Sequence, residues 1–241
     1  MQNMQNYFEK GKDKFHTIIE SDNRKLIDYI VSKSPDVIVL SELNKLLFQD
    51  RWLLDKNYRI FCSKQKAKFH VLMAVKKNLN GNLMSSIESK DYLNRRVAIH
   101  IDDYDMDIIG LHMPSSGERK EFFKEVFKNF KNNMEKHYIL CGDINCDTDD
   151  DGNGKESSMY NIVRPYQKND IYTCKYKTDG ENTDENKWTW QNLKGKNTRI
   201  DRVFISSKLQ NETEQTIKYD LYPIEQEFSD HKMVIVNIQK Y

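Results

Sequence analysis

Gly142-Asp143-Ile144-Asn145 and Ser229-Asp230-His231 are the residues best suited to chemistry, and each stands at the end of an apolar run. Tyr138-Ile139-Leu140 leads into the first and Met233-Val234-Ile235-Val236 leaves the second, so carboxylate, amide and imidazole groups are presented at strand ends. Glu42 follows Val37-Ile38-Val39-Leu40, His112 follows Ile108-Ile109-Gly110-Leu111, and Asp201 edges the run that ends at Ile205. All could converge on one cleft. Oxygen donors such as Glu42 and Asp230 suit Mg²⁺ or Mn²⁺, hard cations that keep several waters and bridge to phosphate oxygens, whereas no Cys/His set suits zinc. The chemistry expected of such a cleft is phosphoryl transfer to water.

The elements that must position these groups are legible as alternating helical and strand patterns. Phe15, Ile18, Ile19, Leu26, Ile27, Ile30 and Val31 fall at mostly helical spacing, and Pro35 stops that helix before a β-branched run at residues 36–40. Further strands are predicted at residues 70–75, 97–101, 106–111 and 137–141, with an amphipathic helix at 119–134 and a hairpin turn at Asp102-Asp103-Tyr104-Asp105. Residues 147–187 turn polar, which predicts long surface loops around a short helical piece at 157–163. Strand patterns return at 188–191, 199–205 and 232–238, with no linker or internal repeat to split the chain, so one α/β domain spanning residues 1–241 is expected.

Composition bounds the rest. The 241 residues carry 38 Lys+Arg against 37 Asp+Glu, a formal charge of +1, so any basic surface for a polyanion must be local. Cys62, Cys141, Cys146 and Cys174 are widely spaced with no Cys-x-x-Cys, which fits neither a disulfide framework nor a zinc knuckle and makes a reduced compartment the default. No signal-like segment and no stretch of roughly 18 apolar residues is present, so the expectation is an unexported, cytoplasmic chain without membrane insertion, acting as a monomer; secretion after processing stays open.

The polar residues occur in ordered motifs. These are Asn3-Met4-Gln5-Asn6-Tyr7-Phe8, Leu40-Ser41-Glu42, Leu111-His112-Met113-Pro114-Ser115-Ser116, Gly142-Asp143-Ile144-Asn145, Arg199-Ile200-Asp201-Arg202-Val203-Phe204-Ile205-Ser206 and Ser229-Asp230-His231. In that order the chain resembles the endonuclease/exonuclease/phosphatase superfamily, whose fold is that of pancreatic-type deoxyribonuclease. The resemblance implies a four-layer α/β sandwich, two packed mixed β-sheets flanked by helices, with the site at one end of the sheets. It also implies roles. Glu42 would hold the divalent metal, Mg²⁺ or Mn²⁺, with Asn3 and Asp230 as supporting ligands. Asp143 would orient or deprotonate the attacking water, and Asn145 would donate to the phosphate. His231, its ring oriented by Asp201, would meet the scissile phosphate as acid or electrostatic stabiliser. His112 in its Leu-His-x-x-x-Ser setting is similar to the deoxyribonuclease and sphingomyelinase branches, where a second histidine flanks the phosphate. Arg95 lies where the deoxyribonuclease branch has a substrate-contacting arginine, and Trp190, within Trp188-Thr189-Trp190, resembles that branch's Thr-x-x-Trp stretch, so Arg95, Asn145 and Trp190 are the residues expected to contact substrate.

Two departures stand out. The glutamate that partners the second histidine in that branch is replaced here by Lys68-Phe69-His70, and only Met1 and Gln2 precede Asn3, where the resemblance expects a full strand. The residues also have plain structural alternatives: Asp143 and Asn145 as a turn after a strand, His112 as a satisfied core histidine, Asp201 as an exposed partner of Arg199 or Arg202, and the tryptophans as loop anchors. Asp147, Asp149, Asp151 and Gly152 match the opening of a calcium loop, but position twelve is Ser158 instead of a bidentate glutamate. The expected activity is metal-dependent phosphodiester hydrolysis with nucleic acid, DNA first, as substrate. The alternatives are a phosphatase or phosphodiesterase on lipid head groups or small phosphate esters, and an inactive binding module of the same fold.

Overall fold

A computed structural model describes residues 2–3, 15–44, 51–54, 56–63, 69–84, 95–114, 119–146, 158–172, 188–191 and 197–241. Its elements run β1 (Gln2–Asn3), α1 (Phe15–Ser32), β2 (Val37–Asn44), α2 (Arg51–Leu54), β3 (Tyr58–Cys62), β4 (Phe69–Lys76), β5 (Gly81–Leu83), β6 (Arg96–Ile101), β7 (Met106–His112), α3 (Arg119–Asn132), β8 (His137–Asp143) and α4 (Ser158–Val163). There follow β9 (Trp190–Gln191), β10 (Asn197–Thr198), β11 (Asp201–Ile205), a helix at Ser207–Glu212, β12 (Thr213–Asp220), a helical turn at Tyr222–Glu225 and β13 (Met233–Lys240).

The strands make a sheet of order β1-β2-β4-β3, a second of order β11-β8-β7-β6-β5, and two ladders, β9 with β10 and β12 with β13. Both large sheets are mixed. β1 is parallel to β2 and β7 to β8, while β2–β4, β3–β4, β5–β6, β6–β7 and β8–β11 are antiparallel.

Most of these strands bury both faces, so successive side chains enter different apolar layers. In β4, Val71, Met73 and Val75 point between the sheets, while Leu72 and Ala74 point outward. In β8, Ile139 and Cys141 face the inter-sheet core, while Tyr138 and Leu140 face α3. Outside the first sheet, α1 lays down Leu26, Ile27 and Ile30 on Ile38, Leu40 and Leu72. Outside the second, α3 presents Phe122, Phe123, Val126, Phe127 and Phe130, a helical stripe that meets Ile109, Leu140 and Phe204. Phe127 lies edge-on to Phe204, ring centroids 5.4 Å apart. The order is helix, sheet, sheet, helix: a four-layer α/β sandwich.

The sheets come close at Gly110, where a Cβ would stand 2.8 Å from Val39 Cγ1. Helix α1 ends with Ser34 in the left-handed region at φ 51°, followed by Pro35, which accounts for the sharp turn into β2. The expected turn at residues 102–105 is a 3₁₀ turn closed by left-handed Asp105 between β6 and β7. Four strands had no sequence expectation: β3, β5, β10 and β12. Strand β12 alternates in burial, but its inward positions begin with Thr213 and Gln215, polar residues that hide the pattern. Among the described residues no helix is long and apolar enough to cross a membrane.

Candidate active site

Connectivity brings the reactive residues to one end of the sandwich. β1 and β2 are parallel, as are β7 and β8, so Asn3, Glu42, His112 and Asp143 all lie at or near carboxyl ends; β11 runs the other way and delivers Asp201 at its start.

Glu42 is aimed by an irregularity in its strand. The β2–β4 register slips between Leu40 and Leu43, and Glu42 itself is left-handed at φ 53°. Such a bulge turns a side chain out of the normal alternation. The buried Glu42 carboxylate meets His112, with Nε2 3.1 Å from Oε1. His112 Nε2 is also 3.9 Å from Asp143 Oδ2, and on the far side of the ring Arg95 Nη1 lies 3.5 Å from Nδ1. Asn3 pairs by its backbone with Ser41, the residue before Glu42.

The end of β8 is held from both sides. Gly142 takes φ 156°, and a Cβ there would stand 2.0 Å from the Leu111 carbonyl oxygen, so the close approach of β7 and β8 requires glycine. Asp143 then sits opposite His112 and opposite Asp201 in the ladders. Its Oδ1 accepts the Asn145 N–H at 2.8 Å, and Asn145, left-handed at φ 50°, donates from Nδ2 to the Met113 carbonyl at 2.7 Å. The turn reading of these two residues is thus realised together with their convergence on the cluster.

Asp201 is fully buried, and its Oδ2 bonds His231 Nδ1 at 2.6 Å. This fixes the ring and turns Nε2 toward Asp230, whose Oδ1 is 3.9 Å away. Asp201 is therefore not an exposed partner of Arg199 or Arg202; both guanidinium groups are buried on Asp170, at 3.0 and 2.8 Å. Trp190 donates from Nε1 to Asp230 Oδ2 at 2.8 Å.

These contacts set the charges. Burial pushes the Asp143 carboxyl up to about 7, and the Asp201 charge adds to the rise; His231, His112 and the Asn145 N–H oppose it only in part. Burial works against a charged His231, yet the charge and hydrogen bond of Asp201, with Asp143 and Asp230, push the ring up to about 9. Near neutral pH the cluster therefore holds an imidazolium beside a carboxyl that titrates close to 7.

The structure thus joins Glu42, His112, Arg95, Asp143, Asn145, Asp201, Asp230, His231 and Trp190 into one chain of contacts. Asn3 is placed beside that chain by backbone register alone. The calcium-loop residues Asp147, Asp149 and Asp151 lie outside the described residues, as does Lys68. His70 Nδ1 instead meets Ser63 Oγ at 3.1 Å. Two contributors carried no readable signal. Thr189 Oγ1 accepts the N–H groups of both Ile200 and Asp201, at 3.1 and 3.0 Å, and Asp170 neutralises two arginines from within a polar stretch.

Among the described residues no group of three or more His, Cys, Asp or Glu side chains is arranged to hold a metal ion. An open oxygen site is what Mg²⁺ uses, because it keeps several waters. Among the described residues Asp230 Oδ1 is buried with no hydrogen-bond partner, an acceptor that fits such a cation, with the carboxylate of Glu42 in the same contact chain.

The model of the Endonuclease/Exonuclease/phosphatase family matches residues 3–231. No curated protein matches the sequence. The fold is similar to that of an AP endonuclease from Archaeoglobus fulgidus, with TM-score 0.72 and 13% identity over 90% of this chain and 94% of that one. It is also similar to the 3′ phosphatase NExo from Neisseria bound to a product DNA hairpin, with TM-score 0.65 and 15% identity over 90% and 93%. The endonuclease domain of TRAS1, a telomere-specific non-LTR retrotransposon, aligns with TM-score 0.62 and 14% identity over 99% and 95%. At these identities the likeness is one of fold. The family match spans nearly the whole chain and takes in every one of the clustered residues, and on that ground the protein belongs to the endonuclease/exonuclease/phosphatase family of phosphoesterases, with a deoxyribonuclease-like fold.

Proposed function

We propose that this protein is a Mg²⁺- or Mn²⁺-dependent phosphodiesterase that hydrolyses DNA. One observation carries the reading: His112 links Glu42 to Asp143, and His231 links Asp201 to Asp230, so base, cation and metal-suited carboxylates share one end of the fold. DNA is favoured because structural relatives include an AP endonuclease and a phosphatase bound to a DNA hairpin.

In this reading Asp143, once ionised, orients and deprotonates the attacking water. Asn145 is held by the Met113 carbonyl with its amide beside Asp143, and donates toward the non-bridging phosphate oxygens. His231, charged and braced by Asp201, faces the phosphate with Nε2 and stabilises developing negative charge. His112 and Arg95 supply further donors on the opposite flank. A divalent cation held by Glu42, Asp230 and Asn3 would supply charge neutralisation at the phosphate.

The test is nicking of supercoiled plasmid in Mg²⁺, Mn²⁺ and EDTA, run beside abasic duplex, single-stranded RNA, sphingomyelin and an inositol phosphate. Plasmid nicking that needs the cation and collapses in Asp143→Asn and His231→Ala is expected. Cleavage of the lipid or the inositol phosphate alone would move the substrate away from DNA, and unchanged nicking in both variants would defeat the site assignment.

A further inference from the structure

Trp190 was expected to contact substrate, yet its polar edge is engaged elsewhere. The indole Nε1–H can only donate, and it donates to Asp230 Oδ2 at 2.8 Å. The segment around it is tied to the same turn by the backbone: Gln191 N donates to the Asp230 carbonyl at 3.0 Å, Lys232 N donates to the Thr189 carbonyl at 2.7 Å, and Trp190 bridges His231. Thr189 Oγ1 caps the start of β11, which carries Asp201. β9 is therefore a brace between the two acids that flank His231.

The hydrogen bond leaves an asymmetry. With Oδ2 taken by the indole, Asp230 Oδ1 is the oxygen that lies 3.9 Å from His231 Nε2, buried and, among the described residues, without a hydrogen-bond partner. The Trp190 ring itself is tilted 53° to the His231 ring with centroids 6.5 Å apart, a flanking position that keeps the indole edge against Asp230.

We infer that Trp190 is a positioning residue which acts through Asp230: its indole N–H holds the carboxylate so that Oδ1 is presented as an acceptor for a divalent cation. The inference rests on the metal-dependent reading above. Groups that orient a metal-binding side chain typically change affinity by about 10–100-fold when removed.

The experiment titrates Mn²⁺ by calorimetry into the wild-type chain, Trp190→Phe and Asp230→Asn, and measures plasmid nicking in parallel. Trp190→Phe keeps a ring and loses the donor. Expected is Mn²⁺ binding weakened at least about tenfold, nicking restored by excess Mn²⁺, and KM for plasmid unchanged. A Trp190→Phe protein with wild-type Mn²⁺ affinity and a raised KM would overturn the inference in favour of stacking on the substrate. Should that variant not fold, the wild-type chain still decides: Mg²⁺ must shift the Trp190 indole N–H resonance and slow its hydrogen exchange, and an indole indifferent to Mg²⁺ overturns the assignment. Binding lost in Asp230→Asn but not in Trp190→Phe defeats the role of Trp190 alone, whereas a wild-type chain that binds no cation defeats the metal-dependent reading with it.

Discussion

His112 Nε2 lies 3.1 Å from Glu42 Oε1, so the second histidine leans on the carboxylate proposed to hold a cation. The acid missing from Lys68-Phe69-His70 is replaced by one from another strand. That contact exists because the β2 irregularity turns Glu42 toward the end of β7.

Glu42→Gln keeps the shape and removes the charge. Cation-supported nicking should fall by at least about 100-fold, and Mn²⁺ binding should weaken in calorimetry. The melting temperature should change little, since the neutral amide can still meet His112.

Activity should follow a bell in pH. The proposed mechanism uses an ionised Asp143, which rises to about 7, so nicking should climb as pH passes that value; it also uses a charged His231, which is pushed up to about 9, so nicking should fall beyond it. Stability carries a sign from the same shifts. A carboxyl raised from 3.8 to about 7 on folding contributes stability that is complete below 3.8 and lost as pH rises through about 7. A ring raised from 6.5 to about 9 contributes fully below 6.5 and loses it as pH rises through about 9. Melting curves against pH for the wild type, Asp143→Asn and His231→Gln should therefore show the lower step vanish in the first variant and the upper step in the second.

Gly142→Ala should destabilise the fold, because the new methyl meets the Leu111 carbonyl oxygen at 2.0 Å. Separating β7 from β8 there costs about 2–3 kcal/mol, which lowers the melting temperature by roughly 5–10 °C. Nicking should drop further than stability alone accounts for, since Asp143 is the next residue. Calorimetry and nicking on the same preparation check both parts.

Asp170→Asn removes a buried charge shared by Arg199 and Arg202, all three essentially inaccessible to solvent. Leaving buried guanidinium groups without it costs about 3–5 kcal/mol. Urea unfolding should show the loss. Arg202 carries β11 just after Asp201, so a milder fall in nicking is expected alongside it.

Much of the architecture was legible because strands that bury both faces are written as continuous β-branched runs, and α3 as a stripe of phenylalanines and a valine. β12 was not, since its inward side chains include Thr213 and Gln215, which satisfy their polar groups locally. β3 and β5 were missed too: after Tyr58 the positions of β3 are only partly buried, and β5 spans three residues. Within the site, Asp143, Asn145, Asp230 and His231 were readable as motifs. Thr189 and Asp170 were not, because their roles come from hydrogen bonds across 11 to 32 positions of sequence.

By itself the sequence determined the identity of the reactive groups and their placement at strand ends, since both follow from local order: apolar runs make strands, and the polar residues bounding them stand at their ends. Only the tertiary structure decided which groups meet. Glu42 as the partner of His112, Asp230 as the partner of Trp190, and Asp170 instead of Asp201 as the partner of the arginines are choices among chemically equivalent carboxylates. Strand register, a bulge at Glu42 and burial make those choices, and none of the three is a property of a short stretch of chain.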